Sequence, residues 1–127
     1  YYDGGICDPI PVKKAIEDGH KKLLIILTRP EGYQKTLSSA NRLAARLLKK
    51  KYPHLVEPLL TRHIAYNQTV QYCETLEKQG KAVIIRPTQE IQINSFEKDL
   101  KKIDAIYQYG YQEGIRRLKD IKTLFLK

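Results

Sequence analysis

Two short apolar runs constrain this chain more than anything else in it. Leu23-Leu24-Ile25-Ile26-Leu27-Thr28 and Ala82-Val83-Ile84-Ile85 have the length of strands and no polar alternation. A strand that is apolar on both faces belongs inside a parallel sheet, with layers above and below it. Helical segments alternate with these runs, so the expected class is α/β, helix-rich, with two or three short parallel strands. The third would be a strand ending at Tyr1-Tyr2. Such a sheet is too small for three substantial helices to cover. Its missing strands are therefore expected from sequence before Tyr1 or from another chain, and the lack of any methionine agrees with an upstream portion.

The helices read from their periodicity. Pro11 suits the first turn of a short helix over residues 12–18, which Gly19 would end. Over residues 39–51, Ala40, Leu43, Ala44, Leu47 and Leu48 share one face, and Arg42, Arg46, Lys49 and Lys50 the other. Pro53 and Pro58 predict a break. A helix over residues 61–78 buries Tyr66, Val70, Cys73 and Leu76 and stops at Gly80. A last helix, residues 100–119, carries Ile103, Ile106, Tyr107, Gly110, Tyr111, Gly114, Ile115 and Leu118 on one stripe. Each glycine there weakens the helix by about 1 kcal/mol, so the pair predicts close approach of another element.

Lys and Arg number 23 against 14 Asp and Glu, a formal charge of +9. The cations recur in small groups, such as Lys49-Lys50-Lys51 and Arg116-Arg117, and fit solvated helix faces better than a basic tail. No aromatic-plus-basic motif or helix-turn-helix signature favours nucleic acid. The longest apolar run is too short to span a bilayer. Cys7 and Cys73 stand too far apart for a metal or redox pair, as expected of reduced thiols in a cytoplasmic protein. His20, His54 and His63 lack ligand spacing, so no metal and no cofactor is expected.

Chemistry concentrates near the start. In Tyr1-Tyr2-Asp3-Gly4-Gly5 a strand end is followed by a carboxylate and two glycines, which places Asp3 on a tight turn. Asp8 reads as a cap or turn residue ahead of the Pro9-Ile10-Pro11 exit.

This combination, with Leu27-Thr28-Arg29-Pro30, Ile84-Ile85-Arg86-Pro87 and the closing Ile106-Tyr107-Gln108-Tyr109-Gly110-Tyr111, resembles the C-terminal part of bacterial patatin-like phospholipases. The resemblance covers nearly the whole chain. It implies an incomplete portion of a three-layer α/β/α sandwich, with residues 1–90 in the catalytic domain and residues 91–127 as a helical extension. It also implies a lipid acyl hydrolase that uses a Ser–Asp dyad, with Asp3 as general base and Gly4 and Gly5 forming its turn. The substrate would be a lipid or other acyl ester, with peripheral contact to an anionic membrane. The nucleophile belongs on a G-x-S-x-G turn in the missing N-terminal half of the protein. None of Ser38, Ser39 and Ser95 has such flanks, and each reads as a helix start or loop. The alternative is a non-catalytic basic module for anionic membrane or nucleic acid; an acid on a glycine turn favours the hydrolase.

Overall fold

The computed structural model describes residues 4–94 and 96–126. The elements run α1 (Val12–Glu17), β1 (Leu23–Ile26), α2 (Ser39–Leu48), α3 (Val56–Lys78), β2 (Ala82–Ile85), α4 (Leu100–Arg116) and α5 (Leu118–Phe125), with 3₁₀ turns at Gly4–Ile6 and Pro53–Leu55. The chain is thus mixed α/β and rich in helix. It divides into two compact units, Tyr1–His20 with Gln34–Tyr72, and Lys21–Tyr33 with Cys73–Lys127. The segment after residue 90 therefore shares a unit with both strands.

In the first unit Val12, Ala45 and Leu59 are buried, and α2 packs on the Pro53–Leu55 turn. The Ser38 side chain accepts from the Asn41 N–H at 3.1 Å, which starts α2. Pro53 opens the 3₁₀ turn, so a break does follow α2. Pro58 makes no second one. It is the third residue of α3, within the first turn, where its missing N–H would have no helical partner in any case.

The second unit holds the sheet. β1 and β2 pair in parallel, Leu23 opposite Ala82 through Ile26 opposite Ile85. The ladder continues at both ends, with Leu23 N–H to Lys81 O at 3.0 Å and Leu27 N–H to Ile85 O at 2.8 Å. Gly80 (φ 68°) lets α3 stop and the chain turn into β2; the Gly80 N–H reaches Glu77 O and the Lys81 N–H reaches Leu76 O, both at 2.9 Å. Ala82, Val83 and Ile84 are buried with Ile25, Leu27, Cys73 and Leu76. β1 is covered on one face only: Ile25 is 7% exposed but its neighbour Ile26 is 70% exposed. Full burial, predicted for this run, is not reached, because the described residues leave the face that carries Leu24 and Ile26 uncovered.

The outer edge of β2 is closed by a side chain. In a parallel ladder alternate residues direct their backbone groups to opposite edges, and the Ile84 N–H donates to Glu77 Oε1 at 2.9 Å. The same oxygen accepts from the Arg117 guanidinium, which also reaches Asp120 at 2.9 Å. Arg117 takes the backbone out of regular helix between α4 and α5. The predicted single helix is therefore two, and the second rests on β2.

Cys73 is fully buried and Cys7 is exposed. Burial pushes the Cys73 thiol up to about 11. At pH 8 roughly one molecule in 10³ then carries the reactive thiolate there. Iodoacetamide should alkylate Cys7 promptly and leave Cys73 untouched until the chain is unfolded; mass spectrometry of the labelled peptides reads the difference. Equal labelling of both in the native protein would contradict the packing described.

Candidate functional site

Asp3 lies outside the described residues, and the turn that follows it does not. Gly4–Ile6 forms a 3₁₀ turn in which the Gly4 carbonyl accepts from the Cys7 and Asp8 N–H groups at 3.0 and 2.9 Å. Gly4 and Gly5, expected to form the turn that holds Asp3, lie in this 3₁₀ turn. It is reached without left-handed backbone, since the glycines with positive φ are Gly19, Gly32 and Gly80. A Cβ on Gly4 would meet nothing within 4 Å, so neither φ nor crowding reserves that position for glycine. Asp8 contributes its N–H to the turn. Pro11, without any side-chain bond, occupies the N-cap of α1, so the capping role for Asp8 is not taken up.

The turn is tied down from far along the sequence. Arg62, in the second turn of α3, donates from Nη2 to the Gly5 carbonyl at 3.0 Å. The bond fixes the carbonyl of the second residue after Asp3. The Arg62 Nε is buried and has no partner among the described residues. Sequence reading missed Arg62. It sits 57 residues from Gly5 on a helix rich in polar residues, and no local pattern marks it.

Beside the turn is an open groove of about 300 Å³, lined by Ile6, Cys7, His54, Glu57 and Arg62 among others. It holds groups of both charges and an exposed thiol. Among the described residues no three of His, Cys, Asp and Glu gather as metal ligands. Ser38 and Ser39 belong to the start of α2, and Ser95 lies outside the described residues. Hence none of the described serines stands at the Gly4–Ile6 turn.

Two leucines of α2 stand differently from what its periodicity predicts. Arg42, Arg46, Lys49, Lys50 and Lys51 are exposed, but so are Leu43 and Leu47. The buried side of the helix is marked by Ala45. Residues 39–51 contain no acidic side chain, so cations and leucines share one solvent face. A second groove of about 640 Å³, in the other unit, contains Glu77, Arg117 and Asp120. Their charges are spent on one another, as expected of a structural clamp.

Fold and site define a helix-rich α/β chain with an anchored turn that begins at the first glycine of an Asp-Gly-Gly motif. Residues 52–126 match a family described as a domain of unknown function, DUF6363. That is more than half of the chain, and the chain belongs to this family. The matched stretch includes Arg62, Glu77, β2, α4 and α5, whereas Asp3-Gly4-Gly5 and β1 precede it. No curated protein matches the chain, and no solved structure does. Among the described residues no helix is long and apolar enough to cross a membrane.

Proposed function

We propose that this chain is the C-terminal portion of a patatin-like lipid acyl hydrolase whose general base is Asp3. The anchored turn is the observation that carries the reading. An acid that must take a proton from a serine has to be held within hydrogen-bond reach of it. The Gly4–Ile6 turn, closed on itself and clamped by Arg62, supplies such a fixed backbone immediately after Asp3. The half-covered strand β1 agrees with it, since Leu24 and Ile26 offer an apolar face to further layers of an α/β/α sandwich.

The chemistry requires a serine from chain preceding Asp3. As its Oγ attacks the ester carbonyl, the proton passes to the Asp3 carboxylate and a tetrahedral oxyanion forms, held by backbone N–H donors. The carboxyl then returns the proton to the departing alkoxide, leaving an acyl-serine. A water molecule, deprotonated in turn by Asp3, adds to the acyl carbon, and the carboxyl returns that proton to the serine Oγ as its bond to the acyl group breaks and the fatty acid leaves. The exposed cations and leucines of α2 suit contact with an anionic membrane, where such substrates reside.

The test is to treat the full-length protein with a fluorophosphonate probe and a short-chain p-nitrophenyl ester. Turnover is expected, together with one probe equivalent on a G-x-S-x-G serine upstream of Asp3, and the 127-residue chain alone should show neither. A full-length protein that neither turns over nor takes up probe would overturn the hydrolase and leave the membrane-binding module as the better reading.

A further inference from the structure

We infer that α2 docks the protein flat on an anionic bilayer, its leucines in the acyl boundary and its cations on the lipid phosphates, so that lipid charge decides where the protein acts. The inference rests on the hydrolytic reading only for the use made of the membrane. Leu43 is 56% exposed and Leu47 71%. Four residues apart, they form one row along the helix, and Arg42, Arg46 and Lys50 form the row beside it. Ala45 marks the buried side. The cations therefore border the apolar row on the face turned to solvent.

The chain leaves these charges uncompensated. In residues 34–72, the part of its unit that contains α2, seven Lys and Arg stand against one acid, Glu57. The unit's other acids are Asp3, Asp8, Glu17 and Asp18, and Asp18 is held by Lys14. Among the described residues no carboxylate comes within ion-pair distance of Arg42, Arg46, Lys49 or Lys50.

The two rows together select the occupant. On a bilayer the leucines leave water while the long basic side chains stay hydrated among the phosphates. Nucleic acid would neutralise the cations and leave both leucines in water. A packed protein layer would strip water from cations that have no acid beside them. Two leucines bury too little to hold a protein on neutral lipid, and cations alone give no insertion, so stable docking needs both signals. Surface charge then controls access to a substrate that resides in the bilayer.

The test uses the full-length protein with Asp3→Asn, which removes the proposed base, so that binding is read apart from hydrolysis. Vesicles of phosphatidylcholine, with and without about 30% phosphatidylglycerol, are sedimented with the protein at about 0.1 M salt. Binding at least tenfold tighter to the anionic vesicles is expected, and about 0.5 M salt should abolish it. Arg42→Gln with Arg46→Gln should weaken it at least tenfold and flatten its dependence on salt. Leu43→Ser with Leu47→Ser should weaken it about tenfold and keep that dependence. Lys119→Gln with Lys122→Gln, exposed positions of the other unit, should stay within about twofold of the parent. Circular dichroism and thermal unfolding should show the native fold in each variant. Equal binding to neutral vesicles, or none to anionic ones, overturns the inference. So does a leucine pair that can be replaced without loss, or tighter binding to a short DNA duplex than to the anionic vesicles. None of these results bears on whether the protein with Asp3 intact hydrolyses esters, so docking and hydrolysis can fail separately.

Discussion

In the full-length protein Asp3→Asn is expected to lower ester turnover by roughly 10²–10⁴-fold, the usual worth of a positioned proton acceptor, with little change in KM. Asparagine has nearly the volume of aspartate and keeps one oxygen that can orient a hydroxyl. What it cannot do is accept the serine proton. The backbone that follows it, from Gly4 on, has no reason to move. The turn is closed by the Gly4 carbonyl and anchored by Arg62 on Gly5, and neither bond involves the side chain at position 3. The loss should therefore fall on kcat. Asp8→Asn is the matched control, because Asp8 serves the turn through its N–H, and its turnover should stay within about twofold of wild type. If Asp3→Asn mainly raised KM or lowered the melting temperature, Asp3 would be a structural residue and the dyad would fall.

What could be read from the sequence was local. The two strands were legible because a run of four or more uninterrupted apolar residues has few other uses, and both appear where expected. Gly80 as the stop of α3 follows from a left-handed cap, a property of one residue. Ser38 as a helix start follows from a bond that spans three residues. Features that need a partner far along the chain were invisible. Nothing near Arg62 announces Gly5, and nothing near Glu77 announces a bond to the Ile84 N–H. Periodicity also has a limit of principle: it tells which residues share a face, not whether that face is covered. On α3 the stripe is buried at Cys73 and Leu76. On α4 an equally regular stripe faces solvent, and on α2 the leucines stand out with the arginines. The candidate site was legible to the same degree. Asp3-Gly4-Gly5 marks a turn, but the clamp that fixes it depends on the fold.

Glu77→Leu is expected to destabilise the protein by about 3 kcal/mol, a large share of the 5–15 kcal/mol that holds a typical domain. Glu77 does two things with one oxygen: it closes the outer edge of β2 at Ile84 and it receives Arg117. Leucine fills a similar volume and removes both. The Ile84 N–H, on a buried strand residue, is then left without an acceptor, at about 1–3 kcal/mol. The Arg117 pair adds less. Its side chains are 34% and 30% exposed, so water screens the attraction, and about 1 kcal/mol is a fair upper figure. Glu77→Gln separates the two parts, because the amide oxygen still accepts from Ile84 while the charge is gone. It should cost about 1 kcal/mol. Arg117→Met should cost a similar amount and cost less when combined with Glu77→Leu, since of its two carboxylate partners only the exposed Asp120 is then left to lose. Urea unfolding of wild type, the three single variants and the double variant gives these differences directly, with Glu77→Leu and Arg117→Met analysed as a double-mutant cycle. Should Glu77→Gln prove as damaging as Glu77→Leu, the charge pair with Arg117 and not the strand-edge bond would carry the contribution of Glu77.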